Sequence, residues 1–123
     1  MELIEIVKSL EGCSRKQRRE MICDLLDSSD MDYKIHRYGS GENIIVSSGK
    51  HFEIGIGSHF DFVNRSPGAN DNASAIAVSL DVLKKFKEKP LQNVGVRGMF
   101  FDEEETGLRG SRAYVSDGKM KNL

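Results

Sequence analysis

FEIGIGSH at residues 52–59, NDNASAIAVSLDVLKKFKEKP at 70–90 and VGVRGMFF at 94–101 decide the fold of this chain. In the first stretch Phe52, Ile54 and Ile56 alternate with Glu53 and Gly55, the two-residue period of a strand, which runs out at Ser58 and His59. In the second, Ile76, Leu80 and Leu83 share one helical face with Ala73 and Ala77 beside them. That helix opens near Asn70 and Asp71 and ends at Pro90. Lys84, Lys85, Lys87 and Lys89 crowd its last turns, where cations suit the helix dipole. The third stretch is an apolar strand that stops at an acidic run. Strand, helix and strand in this order predict a right-handed crossover with parallel neighbours in one sheet. Functional residues of such sheets gather beyond the carboxyl ends of the strands. His59 and Asp61 lie at one such end and Glu103, Glu104 and Glu105 at another, while Asp71 begins the helix between them.

Upstream, Leu3, Val7 and Leu10 fall on one helical face with Ile6. Gly12 interrupts, and Ser14 with Gln17 has the spacing of a capping box. The helix that follows runs to about Asp27, with Met21, Ile22, Leu25 and Leu26 as its apolar stripe. Ser28 to Asp32 reads as a turn. Strands are expected at Tyr33–Tyr38, with Tyr33, Ile35 and Arg37 on one side, and at Asn43–Ser47, joined through Gly39–Gly41. Residues 62–70 read as a loop broken most strongly at Pro67-Gly68. After the acidic run, Gly107 to Gly110 bends the chain into a short helix around Ser111–Val115. The polar tail, 116–123, is expected to fray. The whole is one domain, with amino-terminal helices over 1–28 and the sheet and motifs over 33–115.

The chain has 123 residues, 38% hydrophobic and 30% charged, with a net charge of -1. This is an ordinary soluble balance. It offers no electrostatic case for nucleic acid, which calls for a basic surface, nor for an anionic membrane. Arg15, Lys16, Arg18 and Arg19 are expected to form a solvated helix face. Cys13 and Cys23 are too few for a disulfide scaffold and read as reduced helix residues. The first ten residues carry acids where a signal peptide needs bases, and nothing approaches the roughly 20 apolar residues of a membrane helix. A cytoplasmic location is therefore expected.

Three motifs carry chemistry. In His59-Phe60-Asp61 an aspartate two residues along a strand end lies on the same side as the histidine, where it can hold the second ring nitrogen of a metal-bound imidazole. In residues 67–74 the small Ala73 and Ser74 let a helix start sit close to a packed site. The Asp71 carboxylate there has two oxygens, enough to bridge two metal ions about 3.5–4 Å apart. The acids at 102–105 follow an apolar strand directly and precede a glycine turn. Negative charge packed at a sheet rim is costly without cations. A zinc pair would remove that cost and acidify a bound water, letting one glutamate ligate while its neighbour takes the proton.

His-x-Asp, Pro-Gly-Ala-Asn-Asp-Asn-Ala-Ser and Glu-Glu-x-Gly-Leu-x-Gly-Ser, in this order, resemble the zinc aminopeptidases of the bacterial leucyl aminopeptidase and aminopeptidase Y type. Those enzymes share with glutamate carboxypeptidase II the clan of co-catalytic di-zinc exopeptidases. The likeness spans about His59 to Val115, and the 12 positions from His59 to Asp71 fit the family spacing. The resemblance implies an α/β fold, a three-layer α/β/α arrangement around a mixed, largely parallel sheet. It implies that His59 binds one zinc, Asp61 orients His59, Asp71 bridges both ions, Glu105 binds the second zinc and Glu104 is the general base. Glu103 would shift this register by one, but Gly107-Leu108 anchors it. The substrate implied is a peptide with a free amino terminus.

The sequence departs from the pattern in three places. Family members are longer and supply a further aspartate and a late histidine after the paired glutamates. Asp117 stands too early to replace that aspartate, and His36 and His51 read as surface residues. Ala75 stands where the family often has glycine. The expectation is therefore an amino-terminal portion, truncated at its C-terminus, with an incomplete ligand set and a sheet edge open to association with a second copy. The rival from another class is a non-catalytic metal-binding or assembly module. A cyclase of the same clan is disfavoured by the intact Asn70-Asp71-Asn72 and the paired glutamates.

Overall fold

A computed structural model describes residues 2–63 and 68–123. The expected break at Pro67 lies outside the described residues. The elements follow in the order α1 (Leu3–Leu10), α2 (Arg15–Ser28), β1 (Lys34–Tyr38), β2 (Gly41–Val46), β3 (Glu53–His59), α3 (Ser74–Glu88), β4 (Gly95–Phe101) and α4 (Arg109–Ser116). Helix α2 starts with the expected capping box: Gln17 N–H donates to Ser14 Oγ, and Ser14 N–H donates to the Gln17 side chain. A helical-type turn at Ala69–Ala73 precedes α3, and Asp71 and Asn72 depart from helical geometry within it.

The strands form one sheet in the order β1-β2-β4-β3. It is mixed, as expected, and β3 pairs with β4 in parallel from Glu53↔Gly95 to His59↔Phe101. The other two pairings, β1 with β2 and β2 with β4, are antiparallel. The largely parallel character expected therefore reduces to the single crossover pair. The causes are short connections: Tyr38 to Gly41 closes a hairpin, and residues 47–52 between β2 and β3 are too few for the long crossover that a parallel return needs, so β2 runs opposite to β3 and β4.

Helices α1, α2 and α3 cover one face of the sheet. Ile6, Leu10, Ile22, Leu26, Ile76, Leu80 and Leu83 meet Ile44, Val46, Val96 and Phe100 there. On the other face Tyr114 of α4 packs with Ile45, Met99 and Phe101. These are the three layers expected. Gly98 belongs to this arrangement, because a Cβ there would stand 2.5 Å from a Leu83 methyl, so the bare backbone lets α3 lie close on β4.

Four expectations fail, each for a polar reason. At the start of β3 Glu53 is buried, while Phe52 and Ile54 are exposed. Glu53 is drawn inward by two bonds from Arg97 at 2.7 and 2.8 Å and by the Ser47 and Ser48 hydroxyls, and as the edge strand β3 leaves Ile54 uncovered. The tail is not frayed: Glu53 N–H donates to the Asn122 carbonyl, and Arg97 donates to the carbonyls of Lys119 and Lys121. His36 is mostly buried rather than at the surface, because its Nε2 meets Asp117 at 2.7 Å and its Nδ1 faces the Asn43 amide at 3.0 Å. Arg18, placed in a solvated face, is fully buried.

The Glu53–Arg97 pair ties the edge strand to β4 and the tail. Burial would raise the Glu53 carboxyl, but hydrogen bonds from Ser48, Arg97 and Ser47 outweigh it and hold the carboxyl below its ordinary 4.5. A carboxyl depressed in the fold contributes stability that is fully present above that ordinary value and is lost as pH falls through the lower folded one. The melting temperature is expected to fall as acid is added below pH 4.5. Glu53→Gln should flatten that part of the profile and cost on the order of 3 kcal/mol at neutral pH, read by thermal denaturation across pH.

Candidate metal centre

The parallel strands β3 and β4 end side by side, and their last residues open the site. His59 closes β3 with its ring mostly buried. Nδ1 faces the Asp61 backbone carbonyl at 3.0 Å and the Asp61 carboxylate at 3.4 Å. Nε2 is thereby aimed outward, where it meets the Asp71 carboxylate at 3.0 Å and Glu104 at 3.6 Å. Donor atoms of His59, Asp71 and Glu105 all lie within 4.8 Å of one another. Asp71 and Glu105 are exposed and His59 is partly buried. The cluster is thus a rim feature open to solvent on one side.

Asp61 contributes more than its contact with His59. Its buried carboxylate accepts the Glu104 N–H at 2.9 Å and the Glu105 N–H at 3.0 Å. One side chain at the end of β3 therefore fixes both the imidazole and the backbone of the two glutamates beyond β4. Burial would raise the Asp61 carboxyl, but the hydrogen bonds with His59, Glu105 and Glu104 outweigh it and lower its pKa. The ion stays charged where it is needed.

The consecutive acids divide into two pairs. Asp102 is fully buried and accepts the N–H groups of Glu42 and Glu103, with Arg15 3.5 Å away. Glu103 turns inward at a left-handed φ of 52°, accepting the hydroxyls of Tyr38 at 2.9 Å and Ser40 at 2.5 Å between Arg15 and Arg109. The expectation that cations must relieve all four acids is corrected here: arginine and hydroxyl groups serve Asp102 and Glu103, and the metal-type cluster draws only on the Glu104–Glu105 pair. Glu103 is thus engaged by Tyr38 and Ser40, away from the cluster.

The rim gathers carboxylates around one imidazole. Burial disfavours charge on the His59 ring, yet the Asp61 carboxylate and carbonyl, with Glu104, raise its pKa to about 9. Sharing a hydrogen bond with Asp71 raises the Glu105 carboxyl, and burial adds to this. Both shifts reflect the negative charge gathered at this rim.

A mixed sheet with helices on both faces carries a His, Asp and Glu set at its carboxyl rim, an α/β scaffold with a cation-type donor cluster. Residues 43–123 match Peptidase family M28, and the chain belongs to this family. It is 40% identical over 68 residues to aminopeptidase YwaD of Bacillus subtilis, covering 55% of this chain and 15% of that protein. It is 32% identical over 130 residues to the vacuolar membrane protease of Schizosaccharomyces japonicus, covering 99% of this chain and 14% of that protein. Among solved structures, BSAP, a zinc aminopeptidase from Bacillus subtilis, superposes with a TM-score of 0.56 at 36% identity, over 62% of this chain and 20% of that one. The chain spans about a seventh of the length of the curated relatives it matches. Among the described residues no helix is long and apolar enough to cross a membrane.

Of the residues singled out in the sequence, His59, Asp61, Asp71, Glu104 and Glu105 come together. His36 and Asp117 pair with each other elsewhere. Sequence reasoning missed Arg15 and Arg18, which stand behind the site. A signal for Arg18 was present, since it precedes Ile22 and Leu26 by four and eight positions and so sits on the buried stripe of α2.

Asp61→Asn leaves one carbonyl oxygen for two N–H donors and adds an amide donor. Bonds to a charged acceptor contribute about 1.5–3 kcal/mol each. The variant is expected to lose roughly 2 kcal/mol and to exchange the Glu104 and Glu105 amide protons faster than wild type, read by hydrogen exchange with NMR detection.

Proposed function

We propose that this chain carries the metal-binding portion of a zinc-dependent aminopeptidase-like hydrolase that removes amino-terminal residues from peptides. The observation that supports it is the meeting of His59, Asp71 and Glu105 donor atoms within 4.8 Å, with Glu104 beside them. One ring nitrogen and two carboxylates are a zinc donor set, and bonds of about 2.0–2.2 Å span that gap with small side-chain shifts. In this reading His59, Asp71 and Glu105 would hold the metal, with Asp71 placed to be shared between two ions. Water or groups beyond the described residues would complete each coordination sphere.

When bound, zinc supplies Lewis-acid polarisation of a substrate carbonyl and acidifies water. The protein's own residues do the rest. Asp61 keeps His59 in the tautomer that presents Nε2 outward. Glu104, partly exposed at the rim, takes the proton of the attacking water and delivers it to the departing amine. The anchoring of its backbone by Asp61 fixes the reach of that carboxylate. Cys13 and Cys23, both free thiols, support a reducing compartment such as the cytoplasm. Pairing of the β3 edge with a second copy belongs to the same proposal.

Zinc content per chain, sedimentation and hydrolysis of an aminoacyl-nitroanilide panel test this together. Bound zinc with turnover that Glu104→Gln abolishes by about 100-fold or more, while zinc is retained, is the expected result. Zinc without turnover would leave the metal centre and remove the catalytic claim. No zinc at all would favour the non-catalytic assembly module.

A further inference from the structure

The chain leaves β3 through Asp61 and Phe62 and is next described at Gly68, three residues before Asp71. Arg18 of α2 holds it on both sides of that gap. Its guanidinium carbon lies 4.4 Å over the centroid of the Phe62 ring. Its Nη2 donates to the Gly68 carbonyl at 3.2 Å, and its Nε donates to the Leu10 carbonyl at the end of α1 at 3.1 Å. The Gly68 carbonyl also accepts the Ala73 N–H at 2.9 Å, which closes the turn containing Asp71 and Asn72. Gly68 has a φ of 68°, and a Cβ there would stand 2.3 Å from Arg18 Nη2. Only glycine permits both the left-handed backbone and the approach of the guanidinium.

A charge buried on the apolar stripe of a helix is costly unless its donors are engaged. Arginine brings a rigid fork of donors and a flat face that stacks on an aromatic ring, and lysine has neither. We propose that Arg18 is a positioning residue for the metal centre: by gripping Phe62 and Gly68 it sets the distance at which Asp71 meets His59. This rests on the metal-site reading above. It assigns that role to a helix whose basic residues read from sequence as solvent-facing.

The test compares wild type with Arg18→Met, Arg18→Lys, Gly68→Ala and Leu83→Ala. Zinc affinity is measured by competition with a chromophoric chelator. Ala73 amide exchange and melting temperature are measured on the metal-free chain. Arg18→Met and Gly68→Ala are expected to weaken zinc by about 10- to 100-fold and to speed Ala73 exchange, and Arg18→Lys to fail to rescue either. Leu83→Ala opens the core under β4, away from the site. It should lower the melting temperature while leaving zinc affinity and Ala73 exchange unchanged. Gly68→Ala attacks the same contact from the other side, so the comparison survives a failure of Arg18→Met to fold. Wild-type zinc affinity in the Arg18 and Gly68 variants would overturn the inference, as would an equal loss in Leu83→Ala. If wild type binds no zinc, the metal-site reading fails. Ala73 exchange then decides the clamp alone: faster exchange in the variants upholds it and unchanged exchange ends it.

Discussion

The Asp61 carboxylate is the constraint on which the rest of the site depends. It sits just past the end of β3, is almost completely buried, and accepts the amide protons of Glu104 and Glu105 from the far side of the sheet rim. Bonds from N–H groups to a desolvated carboxylate are short and strong. They join the ends of two parallel strands that would otherwise diverge into separate loops. The same carboxylate, with its own backbone carbonyl, orients His59. Imidazole and glutamates therefore share one reference point. That sharing matters because a metal site or a catalytic constellation tolerates misplacement of only about half an ångström.

The acidic run shows how neighbouring side chains of one chemical type are put to different uses. Asp102 is fully buried, and desolvation raises its carboxyl pKa even though the Glu42 and Glu103 amides and Arg15 oppose that shift. Burial would raise Glu103 too, but the hydroxyls of Ser40 and Tyr38 and the charges of Arg15 and Arg109 bring it below its ordinary value. The left-handed backbone at Glu103 reverses the direction of the chain, so the next two carboxylates emerge on the open side. Two acids fasten the turn to α2, β1 and α4, and two are presented to solvent. The carboxylates are buried but Arg15 and Arg109 are half-exposed, so salt screens the ion pairs in part and the bonds from Tyr38 and Ser40 are the less salt-sensitive fastening.

The crossover was legible because its signals are the strong ones. An alternating strand, a helix with Ile76, Leu80 and Leu83 on one face, and an apolar strand each bury a continuous stripe, and the order of the three dictates parallel pairing. The residues that meet at the rim could be named because their motifs, taken in order, resemble those of a known family. What escaped was every place where a polar group is buried by partners distant in sequence. Glu53 lies inside because Arg97, 44 residues away, meets it there. His36 is covered by Asp117 across 81 positions, and Asn43 joins His36, Gly110 and Asp102. The tail is held by carbonyls, which have no sequence signature at all. Periodicity reports which positions face the core only when the core is apolar.

The family match begins at residue 43, yet the frame of the site begins earlier. Arg15 reaches Asp102 and Glu103, while Arg18 reaches Phe62 and Gly68, so α2 touches both segments that flank the metal-type cluster. Tyr38 and Ser40, at the turn between β1 and β2, hold Glu103 from the other side. Residues 43–123 alone would lack these contacts and the Glu42 amide, leaving Arg109 and the Glu103 amide to offset the charge of Asp102 and Glu103. Like charges that close cannot both remain ionised in a dry environment without a cation. Helix α2 and the first hairpin turn are therefore part of the site's electrostatic frame, although neither contributes a residue to the metal-type cluster.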